Sequence, residues 1–161
     1  MTTKRIIYTR PDGRVSVVNP APEFVASFET EDEALAAIQA KDVPTDAMAV
    51  EVVEVATIPT DRWFRNAWTR PSGGGPIDTD MPKAREIQTT KIQNARQGEI
   101  GRLQGEEDRA RLAGRTADAA QHATDRAALE AMNLTAVAAS IAADPNPTAL
   151  KAVWPAGLPP Q

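Results

Sequence analysis

The sequence predicts an α+β protein: a small β-β-α-β unit followed by a mostly α-helical C-terminal region that folds back as a helical hairpin. Three observations carry the prediction. Short alternating apolar runs, bounded by turn residues, open the chain. A capping signal and an apolar face mark one helix among them. Beyond Asp80 the composition turns to alanine and long charged side chains, which favour helix.

Residues 4–18 read as a β-hairpin. Arg5 to Arg10 is rich in strand formers, Pro11-Asp12-Gly13 is a turn, and Arg14 to Val18 alternates. Asn19-Pro20-Ala21-Pro22 stops the second strand, because proline donates nothing to a ladder. Residues 30–40 form a helix: Thr30 is the N-cap, Glu33 completes a capping box, and Ala34, Leu35 and Ile38 share one side. Val50 to Ile58 is the third strand, with valines interleaved by Glu51 and Glu54.

Residues 59–80 read as an aromatic segment and a glycine-rich linker, ending the first unit at 58. Trp63, Phe64 and Trp68 lie here, and Ser72-Gly73-Gly74-Gly75 supplies flexibility. Residues 81–155 form the helical region. Asp80 caps it and Pro82 fits its first turn. The pairs Ala84/Ile87, Ile92/Ala95 and Ile100/Leu103 repeat every eight residues, so the stripe drifts about 80° per repeat and is no heptad seam. Gly98, Gly101 and Gly105 each cost about 1 kcal/mol against alanine and leave open whether the helix breaks. Gly114 turns the chain, with Thr116 as N-cap of a second helix running to Met132. Residues 135–143 make a third helix, 148–154 a last turn or two, and 156–161 a loose tail.

Composition narrows the function. The chain has 161 residues and no cysteine, which excludes disulfides, thiolate nucleophiles and cysteine-ligated metals. Its net charge of -4 speaks against a generally basic nucleic-acid binder. Residues 1–80 carry 8 basic and 13 acidic side chains and residues 81–161 carry 10 and 9, so the halves differ in character. No run approaches the ~18 apolar residues of a membrane span, and the opening is too short for a signal peptide. No membrane partner is expected, and the cytoplasm is the expected location unless the protein is packed into a particle.

Candidate chemical sites are sparse. His122 stands alone without a second histidine and reads as an exposed helix residue. Ser72-Gly73-Gly74-Gly75-Pro76 lacks the Gly-Lys-Ser/Thr of a phosphate loop. Glu106, Glu107 and Asp108 lack the spacing of a calcium loop and read as a solvated face. No catalytic residue, metal or cofactor is expected. Trp63, Phe64 and Trp68, flanked by Arg62, Arg65 and Arg70, suit either core packing or a partner surface. The helical region carries Lys83, Arg85, Lys91, Arg96 and Arg102 and further arginines, the one plausible nucleic-acid footprint.

Two strings extend this reading. Asp61-Arg62-Trp63-Phe64-Arg65-Asn66-Ala67-Trp68 followed by Met81-Pro82-Lys83-Ala84-Arg85-Glu86-Ile87 resembles a module in small accessory proteins of α-proteobacterial tailed phages and prophages, found near tail-fibre and tail-assembly proteins. Ala149 to Pro155 resembles its ending, and Arg5 to Gly13 the start of some members. Gln88 stands where similar modules commonly carry histidine. The resemblance implies a structural or assembly role and no catalytic residues. The expected contact residues are Trp63, Phe64, Arg65, Trp68, Arg85 and Lys91, meeting phage structural or tail proteins or further copies of the chain. Nucleic-acid binding by the basic helices is the alternative.

Overall fold

The computed structural model describes residues 2–161, which divide into two units, one ending at Asp80 and one beginning at Met81. In the first, β1 (Lys4–Thr9) lies between β2 (Val15–Val18) and β3 (Met48–Glu54), antiparallel to both. The β1–β2 turn closes as the sequence dictates. Gly13 takes φ +81°, and the Arg10 N–H donates to the Arg14 carbonyl at 2.8 Å. A one-turn α1 (Pro22–Val25) precedes α2 (Glu31–Asp42). The predicted capping box at Thr30 is present: Glu33 N–H donates to Thr30 Oγ1 at 3.2 Å and Thr30 N–H to Glu33 Oε2 at 3.1 Å.

Neighbouring residues of a strand point to opposite faces, so Ile6 and Ile7 serve different cores. Ile6 packs with Leu35 and Ile38 of α2, joined by Val18, Val43 and Val50. Ile7 packs on the other face with Ile58 and Trp68, joined by Val15, Val17, Val53 and Ile77. Both faces of the sheet are therefore covered. This corrects two expectations. The third strand stops at Glu54 and Val55–Thr57 is a 3₁₀ turn, because the chain must bend to bring Ile58 onto the second face. Residues 59–80 are not a linker but the cover of that face. They contain the short pair β4 (Trp68–Thr69) and β5 (Asp78–Thr79).

Arg70 fixes the glycine-rich loop. Its fully buried side chain donates to the Gly75 carbonyl and the Ala49 carbonyl, each at 2.9 Å, and forms an ion pair with Glu51. The Gly75 N–H donates to the Glu51 carboxylate at 3.1 Å. Gly74 sits at φ +94°, and a Cβ there would collide with that carboxylate.

The second unit begins with α3 (Met81–Leu112), which runs unbroken through its three glycines. A Cβ at Gly98 or Gly101 would meet nothing within 4 Å, so these positions face open space. Gly114, at φ +70°, ends the helix in a Schellman motif: Arg115 N–H donates to the Ala110 carbonyl at 2.8 Å and Gly114 N–H to the Arg111 carbonyl at 3.0 Å. Next come α4 (Thr116–Glu130), α5 (Leu134–Ala143) and α6 (Pro147–Ala152). Thr116 is already helical and Arg115 occupies the cap position, in place of the expected Thr116 cap. Asn133 and Asn146 cap α5 and α6, each accepting a backbone N–H at 3.0 Å. The end of the chain is tied back: Trp154 Nε1 donates to the Pro159 carbonyl at 2.9 Å and Gln161 Nε2 to the Lys151 carbonyl at 2.7 Å.

Candidate interaction surfaces

The aromatic segment divides between core and surface. Phe64 and Trp68 are only 4% and 5% exposed, so neither offers a contact face. This corrects their expected role: the second face of the sheet needs a large apolar cover, and Trp68 is that cover. Trp63 is half-buried, its backbone N–H held by Asp61 Oδ1 at 2.9 Å. Arg65 is exposed and, among the described residues, its side chain makes no hydrogen bond or ion pair.

The expected basic face of the helical region is divided: Arg85 and Arg96 turn inward, while Arg102, Arg109, Arg111 and Arg115 are exposed. Arg85 donates to the Asp144 carbonyl at the end of α5 at 2.9 Å. Arg96 donates to the Leu129 and Glu130 carbonyls at the end of α4, at 2.8 and 2.9 Å. Gln88, fully buried, donates to the Val153 carbonyl just past α6 at 2.8 Å. Helix C-termini leave carbonyls without intrahelical donors, and these three side chains supply them. Arg85 is thus a structural clasp rather than a contact residue; Lys91 is half-buried. Arg102 bridges Glu99 and Glu106, lowering the Glu99 carboxyl below its ordinary 4.5 through a side-chain hydrogen bond.

The acidic run also departs from its expected solvated face. Glu107 is 3% exposed and pairs with Arg111 on its own helix and Arg126 of α4, 3.3 Å away. His122 is half-buried with Nδ1 3.6 Å from Glu106 Oε2. Among the described residues, no group of three or more histidine or carboxylate side chains is placed to hold a metal ion.

One surface had no advance sign in the sequence reading. β3 is an edge strand. Because Val55 N–H donates to the Thr3 carbonyl at 2.8 Å, residues 51, 53 and 55 face β1, and the peptide groups of Val52 point away from the sheet. Val52 and Met48 are each 45% exposed and Val55 40%. Beside this edge lies a hollow of about 360 Å³, lined by Ile7, Val53, Ile58, Pro76 and Ile77 with Glu51 and Glu54 at the strand.

Compared with known proteins, the chain matches no family model, no curated protein and no solved structure.

Proposed function

We propose that the chain is a non-enzymatic accessory protein of tailed-phage type, acting through protein–protein contacts in tail or particle assembly within the host cytoplasm. The observation that carries this is the open edge of β3 with its apolar hollow. An edge strand presents unpaired peptide groups that another chain can extend, and side-chain pockets beside it give selectivity. Val52 supplies the peptide groups, Val53 and Ile77 line the hollow, and Glu54 adds an exposed acid. The occupant that fits is an extended segment of a phage structural protein, apolar at alternate positions, with a lysine or arginine opposite Glu54. The likeness of residues 61–68 and 81–87 to phage tail-associated modules supports the phage setting. Among the described residues, no helix is long and apolar enough to cross a membrane.

A photo-crosslinking residue at position 52, in cells making particles, tests the proposal. A covalent product with a tail or shell protein is expected, and Val52→Lys should reduce copies of the chain held by assembling particles at least tenfold. Products containing only a second copy would replace the partner by self-association. Particle assembly and crosslinking that ignore position 52 would defeat the reading.

A further inference from the structure

The opposite edge of the sheet has a different chemistry. A hollow of about 170 Å³ beside β2 is lined by Arg10, Arg14, Arg65, Ser16, Asn66 and Tyr8, with no carboxylate in its wall. Three guanidinium groups therefore converge in a unit that otherwise carries more acid than base. Arg14 is neutralised by Asp12, 2.6 Å away, and its hydrogen bond holds the Asp12 carboxyl below its ordinary 3.8. Arg10 is held in place by its Nε donating to Ser16 Oγ at 2.6 Å; the Asp12 carboxylate acts on it through charge alone, and no acid touches it among the described residues. The Arg65 side chain has no hydrogen-bond or ion-pair partner among those residues.

The backbone adds a second feature. Arg10 N–H donates to the Arg14 carbonyl, so residues 14, 16 and 18 face β1, and the peptide groups of Val15 and Val17 point outward beside the hollow. Two guanidiniums that touch no carboxylate and an open strand edge meet at one place. We propose that this hollow takes a carboxylate from an acidic, extended segment of a partner protein, gripped by Arg65 and Arg10 while its backbone runs along β2. Arginine binds a carboxylate through paired N–H donors, and the outward peptide groups are matched by another peptide backbone. A nucleic acid fits less well. The acid surplus of this unit repels a long polyanion beyond its first contact. The site lies across the sheet from β3 and stands or falls separately from the docking surface proposed there.

The test is a titration of the ¹⁵N-labelled full chain, followed by amide shifts. The probes are an acetylated peptide of alternating valine and glutamate, the same peptide with lysine for glutamate, inorganic phosphate, and a single-stranded oligonucleotide. The acidic peptide should move the amides of Val15, Val17 and Asn66, and the lysine peptide should not. Arg65→Ala should weaken that binding about tenfold, as loss of a hydrogen bond to a charged group does. Arg62→Ala, exposed and outside the hollow, should leave it unchanged, and both variants should keep the wild-type spectrum elsewhere. Stronger shifts with phosphate or the oligonucleotide than with the peptide would overturn the proposal in favour of a phosphate site. Shifts of these amides with protein concentration alone would overturn it in favour of a second copy. No shift with any probe would remove the anion site.

Discussion

Replacing Trp68 by alanine separates a core residue from a contact residue. The indole is 5% exposed and lies against Ile7 and Ile58, with Val15, Val17, Val53 and Ile77 around it. Truncating a buried aromatic to alanine costs about 3–5 kcal/mol. A unit of this length has roughly 4–12 kcal/mol of stability in total. The loss is thus a quarter or more of what holds the first unit together. With a urea slope of about 1–1.5 kcal/mol per M, the midpoint should fall by about 2–5 M. Far-UV circular dichroism is dominated by the helices of the second unit, so the assay should follow amide peaks of β1, β2 and β3 against urea. Trp68→Phe should lose much less, since a ring still covers the second face. An unchanged midpoint for Trp68→Ala, together with lost partner binding, would refute the reasoning and return Trp68 to the surface.

Two further outcomes follow from the second unit. Gly98→Ala and Gly101→Ala each place a Cβ in open space within a helix, so each should stabilise by about 1 kcal/mol and raise the melting temperature by roughly 4–8 °C; a fall, read by circular dichroism at 222 nm, would mean that this helix face is packed against something in solution. Glu107→Gln keeps the shape but removes the charge between Arg111 and Arg126, and should cost about 1–2 kcal/mol in urea unfolding. Arg126→Ala should lose more, because it leaves a buried carboxylate facing Arg111 alone, whose side chain is 63% exposed. Equal losses would show that Glu107 is hydrated rather than buried.

What the sequence revealed was whatever depends on near neighbours. Pro11-Asp12-Gly13, the Thr30–Glu33 box and the Gly114 stop are local chemistry, and each is where it was expected. The cover on the second sheet face was missed, although Ile6-Ile7-Tyr8, Val17-Val18 and Val52-Val53 are consecutive apolar residues that suit a sheet buried on both sides. That pattern requires a second cover, and Trp68 is one of the two tryptophans available between β3 and α3. The loop clamp was illegible for a different reason: Arg70 reaches Gly75, Ala49 and Glu51, partners up to 21 residues away. The edge of β3 and the Arg10–Arg65 hollow depend on strand order, which no local signal contains.

The helical region shows why its apolar stripe seemed to drift. The inward side of α3 carries Ala84, Gln88, Ile92, Leu103, Glu107 and Ala110, all buried, with Arg85 and Arg96 half-buried. At 100° per residue these positions fall within an arc of about 140°, a single face. Reading only apolar residues skips 88 and 107 and substitutes Ile87 and Ile100, which are half-buried. The polar members have a purpose that apolar ones lack. α4, α5 and α6 have 15, 10 and 6 residues, lengths at which an isolated helix is marginal. Each ends where α3 presents a donor: Arg96 to α4, Arg85 to α5, Gln88 to α6. The register of the unit is therefore set by donors as well as by burial. This accounts for a buried glutamine at position 88: its side-chain amide presents an N–H, and the fold requires that donor at the Val153 carbonyl. Leucine would fill the same space and leave that carbonyl without the bond.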